Sequence, residues 1–129
     1  KDDLLSIPIE QRLSYDPATN IFYVNFEGLH VRSKNDIEAI RLKVSEICKP
    51  LGKRVKTIVN YDNFSIVPEL EDDYINMVKY VVSEFYSDVT RYTTSAFLRM
   101  KLGDELKKRQ MAPHIFQSKE EAREALEGK

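Results

Sequence analysis

The sequence holds one cysteine, Cys48, and no tryptophan. A lone thiol cannot close an internal disulfide, so the fold does not rest on oxidation; this fits a reducing compartment, and a cytoplasmic location is expected. Glycine is scarce as well, and Gly28, Gly52, Gly103 and Gly128 stand far apart. That spacing excludes the clustered glycines of a phosphate or dinucleotide loop. No Gly-x-Ser-x-Gly elbow occurs. His30 and His114 are the only histidines, and neither has a second His or a Cys at metal-ligand spacing. No apolar run approaches the ~20 residues that span a bilayer. The stretch Lys1-Asp2-Asp3-Leu4-Leu5 lacks a signal-peptide layout. Charge of one sign is missing too: 20 basic residues against 21 acidic ones leave a net charge of −1. The two signs are interleaved, so neither nucleic acid nor an anionic membrane is an expected partner.

What remains is ordinary globular material. A chain of 129 residues, 42% hydrophobic and 32% charged, suits one domain with a full core. It begins at Lys1 and not at Met, which leads to the expectation of a piece cut from a longer protein. Residues 1–12 read as an extended lead-in, because Pro8 disfavours an early helix. Residues 13–129 read as a single α/β domain.

Periodicity gives the order of elements. Leu13-Ser14-Tyr15 and Ile21-Phe22-Tyr23-Val24-Asn25-Phe26 flank the turn formers Asp16-Pro17-Ala18-Thr19-Asn20, as in a hairpin. Ser33, with Asp36 three residues on, predicts a helix start. Ile37, Ile40, Val44, Ile47, Cys48 and Leu51 then share one face, and Gly52 suits the left-handed C-terminal position. The β-branched run 55–59 predicts a buried strand. A second helix is expected near Pro68, with Glu69, Glu71, Asp72 and Asp73 where the helix dipole favours negative charge. Its apolar face is Leu70, Tyr74, Met77, Val78, Val81, Val82 and Phe85. A strand over 89–94 and a helix over 96–110 follow; Gly103 predicts a bend in that helix. His114-Ile115-Phe116 predicts a short strand, and Ser118 with Glu121 the start of a last helix. The order β-β-α-β-α-β-α-β-α implies βαβ units, a mostly parallel sheet of four to five strands and about four helices.

Two polar segments fall at the carboxyl ends of predicted parallel strands, where ligands of open α/β sheets bind. One is Asn60-Tyr61-Asp62-Asn63-Phe64 and the other Arg91-Tyr92-Thr93-Thr94-Ser95. Asn60, Asp62, Arg91, Thr93 and Thr94 are the candidate ligand-binding residues, with Arg91 expected to pair with Asp62 or with a bound anion. The same residue types also build turns and helix caps, and Ser95 suits a cap of the third helix. Cys48 lies on an apolar helix face and reads as a small core residue with a raised pKa. The acidic run 69–73 is explained by the helix dipole, and Lys107-Lys108-Arg109 by a solvated helix end. No catalytic residue and no metal site are expected.

The strings Val59-Asn60-Tyr61-Asp62-Asn63-Phe64, Arg91-Tyr92-Thr93-Thr94-Ser95-Ala96-Phe97-Leu98 and Pro113-His114-Ile115-Phe116 resemble the C-terminal extension of bacterial acyl-CoA:acetate/3-ketoacid CoA-transferases. Leu13-Ser14-Tyr15-Asp16 and Asn25-Phe26-Glu27-Gly28-Leu29 match the same extension, so the likeness runs from about residue 12 onward. The order of elements is also similar to STAS domains of anti-sigma-factor antagonists and sulfate transporters. Those domains place a regulatory Ser at the start of the helix after a central strand; the nearest residue here is Ser65, without the usual signature around it. The transferase resemblance implies coenzyme A as cofactor of a parent enzyme, whose catalytic glutamate and glycine-rich loops lie outside this chain. It implies an accessory role in interdomain packing, assembly or regulation, with the parent's catalytic domains, another subunit or a second copy as partners. The other reading is a small-ligand module that senses CoA, an acyl group or a nucleotide.

Overall fold

The computed structural model describes residues 7–128. Most of the lead-in, residues 1–6, lies outside the described residues. Its end is not extended: Ile9–Gln11 form a 3-10 turn directly after Pro8, whose fixed φ suits a helical start. Strand β1 (Leu13–Asp16) turns through Asn20, in the left-handed region at φ 58°, into β2 (Ile21–Asn25). Asp16 accepts from the Ala18 N–H and the Thr19 hydroxyl and so fixes the turn. A two-residue strand β3 (His30–Val31) precedes α1 (Lys34–Cys48). The capping box is formed: Ser33 accepts from the Asp36 N–H, and Asp36 accepts from the Ser33 N–H. The turn Lys49–Leu51 and Gly52, at φ 67°, end this segment. Then come β4 (Val55–Asn60), a second short strand β5 (Ser65–Ile66) and the turn Pro68–Leu70, which leads into α2 (Glu71–Phe85). Strand β6 (Tyr86–Tyr92), α3 (Ala96–Lys108), β7 (Ile115–Phe116) and α4 (Lys119–Glu127) complete the chain.

The architecture is α/β, with four helices and a mostly parallel five-stranded sheet of order β1-β2-β4-β6-β7. Only the β1–β2 pair is antiparallel. Each crossover steps one strand further in the same direction. With right-handed connections, that places α1, α2 and α3 on one face. The core agrees. Phe22 and Val24 of β2 and Val55 and Val59 of β4 pack with Ile37, Ile40, Val44, Tyr74, Val78, Leu102 and Leu106. Residues of opposite parity, Ile21 and Ile58, meet Ala122 and Leu126 of α4 on the other face. Each fully buried Leu, Ile, Val or Phe contributes roughly 1.5–3 kcal/mol.

Three further points differ from expectation. The pair β3–β5 forms a second, two-stranded parallel sheet that periodicity could not show, because two residues carry no period. Strand β6 starts at Tyr86, earlier than expected, because α2 passes into it without a loop; Tyr86 itself has extended backbone. Helix α3 runs unbroken through Gly103, which is buried, and ends at Lys108.

Candidate functional site

The two polar segments do meet at the carboxyl end of the sheet. Asp62 leaves β4 in a tight turn in which the Phe64 N–H donates to the Tyr61 carbonyl (3.1 Å) and Asn63 takes φ 55°. Asn and Asp tolerate that left-handed position better than most side chains. The Asp62 Oδ1 accepts from Thr93 Oγ1 (2.9 Å), the Thr94 N–H (2.7 Å) and Thr94 Oγ1 (3.0 Å). Its backbone carbonyl accepts from the Gly28 N–H (2.9 Å), where φ is 70°. One residue thus ties together the loops that follow β2, β4 and β6. Burial pushes the Asp62 carboxyl up, but the three bonds from Thr94 and Thr93 outweigh it and leave the pKa below its ordinary value. Asn60 supports the turn: its Oδ1 accepts from the Asp62 N–H (2.9 Å), and its amide reaches Glu27 (3.4 Å).

Arg91 does not join this knot. Its side chain points into the core, where the residue is 1% exposed, and donates to the carbonyls of Pro113 (2.8 Å) and Ala112 (3.4 Å). Strand alternation decides this. Arg91 shares parity with Val89, which packs on the large core, whereas the α4 face takes Thr90 and Tyr92. Its charge lies near the hydroxyls of Tyr61, Tyr74 and Tyr86, whose pKa values burial raises, those of Tyr74 and Tyr86 well above their usual range. Fastened to it is the loop between α3 and β7, which needs positive φ at Gln110 (63°) and His114 (42°). Arg91 is a fastener of that loop, not an anion site. Arg12, 3% exposed, works alike on the carbonyls of Ile7, Asn25 and Glu27.

Beside the knot lies a groove of about 290 Å³ between the β4–β5 turn and the start of α3. Phe64, Ile66, Tyr74, Ile75, Leu98 and Leu102 give it an apolar floor. Ser65, Ser95 and the ion pair Lys101–Glu71 (3.5 Å) stand at its rim. Phe97 at its edge is 68% exposed and neighbouring Met100 60% exposed. The sequence reading missed the groove, because its walls come from α2, α3 and β5 together. Phe97 and Met100, three residues apart and off the Leu98-Leu102-Leu106 stripe, are its one trace in the sequence.

Ser95 caps α3 by accepting from the Leu98 N–H (3.1 Å). Ser65 does not begin a helix: it lies on β5, several residues before α2, and shares a 2.5 Å hydrogen bond with His30 Nδ1 on β3. The register His30↔Ser65 makes this pairing, and both side chains are exposed. Cys48 is buried, and desolvation pushes its thiol up to about 11. Among the described residues, no group of three or more His, Cys, Asp or Glu is placed to hold a metal ion. No helix among them is long and apolar enough to cross a membrane. No family model, curated protein or solved structure matches the chain.

Proposed function

We propose that this chain is an accessory domain of an acyl-CoA:acetate/3-ketoacid CoA-transferase, of STAS-like architecture, that acts in the cytoplasm through packing and assembly. Coenzyme A would be bound by the parent's catalytic domains. The observation that supports this reading is the apolar groove with Phe97 and Met100 standing open beside it. A contiguous apolar surface with a polar rim is the usual form of a protein-contact site. The polar residues beside it are already engaged: Asp62 Oδ1 takes three internal hydrogen bonds, and Arg91 is turned inward.

Sedimentation of the chain with the catalytic domains of a bacterial transferase of that family tests the reading. A complex is expected. Ser65→Trp, an exposed position at the groove's rim, is expected to weaken it at least ~10-fold by covering the mouth. Absence of any complex at about millimolar concentration would sink the proposal. A second reading, a sensor of CoA, an acyl group or a nucleotide, draws on the groove's place at the carboxyl end of the sheet. Calorimetric titration with CoA, acyl-CoAs and nucleotides separates the two, since only the sensor gives saturable heat.

A further inference from the structure

The outer face of α3 is accounted for by neither the knot nor the groove floor. Helical spacing aligns Phe97, Met100, Lys101, Asp104 and Lys108 on it, and all five are exposed. Four of these positions, Phe97, Lys101, Asp104 and Lys108, complement one another when the helix is reversed. If a second α3 lies antiparallel across the first, with the two-fold axis midway between positions 102 and 103, position 101 faces 104 and position 97 faces 108. Lys101 then meets Asp104 twice, once on each side of the axis. Phe97 meets Lys108 twice, as ring against ammonium. A parallel alignment would instead set each charge against its own kind.

The side chains are available for this. Lys101 is 44% exposed and Lys108 68% exposed, each with one ion pair, to Glu71 and Glu105, among the described residues. Asp104 has no ion pair among the described residues. We infer that α3 is a two-fold contact surface, and that its occupant is α3 of a second copy of this chain. An isologous pair needs one patch complementary to itself, and this stripe is such a patch. The inference goes beyond the reading above, since it concerns contact between two copies of this chain.

Sedimentation equilibrium of the chain, and of two charge variants, tests it. The unmodified chain is expected to dimerise. Asp104→Lys gives a face with two lysines opposite two lysines, and Lys101→Asp gives aspartates opposite aspartates. Each alone is expected to lose at least ~10-fold in self-association. Mixed in equal amounts they restore every ion pair, so a heterodimer is expected to return. Asp104→Lys alters an exposed residue with no ion-pair partner among the described residues, so their fold does not depend on it. A monomeric unmodified chain up to about millimolar concentration would overturn the inference. So would undiminished dimerisation of Asp104→Lys, or a mixture that stays monomeric. Dimers that obey these rules but do not bind transferase catalytic domains would sink the proposed function and leave the α3 pairing standing.

Discussion

The two faces of the sheet are built to different depths. One is covered by α1, α2 and α3 over a core that includes Phe22, Val24, Val59, Tyr74 and Val78. Among the described residues the other is covered by α4 alone, nine residues long, over Ile21, Ile58, Ala122 and Leu126. Tyr23, Tyr92 and Phe116 beside α4 stay partly exposed. Stability follows buried apolar area, so the first face holds the fold and the second is an attachment to it. What α4 lacks in area it recovers locally. Ser118 caps it, Glu121 accepts from the Gln117 N–H, and the Thr90 hydroxyl donates to the Ala122 carbonyl at 2.9 Å.

The sharpest test is Phe22→Ala on the thick face. It is expected to cost about 3–5 kcal/mol and to lower the single melting transition of the whole chain. Leu126→Ala on the thin face deletes a comparable side chain and is expected to cost about 2–4 kcal/mol. Its effect should be local: amide exchange speeds up across α4 while β4 and α2 stay protected. Equal loss of protection in both would break the distinction between the faces.

Asp62→Asn probes the loops at the end the two faces share, and about 1–3 kcal/mol is expected from urea unfolding. The sign with pH follows from its lowered pKa. A group held more acidic in the fold contributes fully above its unfolded value near 4 and loses that contribution as pH falls through the folded value. The variant should lack this part of the acid destabilisation. Ser118→Ala is expected to cost about 1 kcal/mol, mostly as fraying of α4, read from helical circular dichroism. The smallest change runs the other way. At Gly103 an added Cβ would meet only Pro113, at an ordinary 3.8 Å, so Gly103→Ala is expected to raise stability by about 0.5–1 kcal/mol.

The thick face was easier to read than the thin one. The stripe Ile37, Ile40, Val44, Cys48 and that of α2 needed only helical periodicity, and Ser33 and Ser118 announced their caps. Of the candidate site, Asn60, Asp62, Thr93 and Thr94 do come together, because turn formers after parallel strands meet at one end of a sheet. Arg91 was misread, because an arginine looks like a surface residue until strand parity sends it inward.

The amino-acid sequence by itself therefore determined the α/β class, the four helices with the serine caps of three of them, and the alternation that sorts residues between two faces, since all of these are local or periodic properties. Tertiary structure alone decided which partners meet. It set the His30–Ser65 pair, the fastening of the α3–β7 loop by Arg91, and the groove under Phe97. Those contacts join residues far apart in the chain, and no local preference encodes which distant segments the sheet and its crossovers bring within reach.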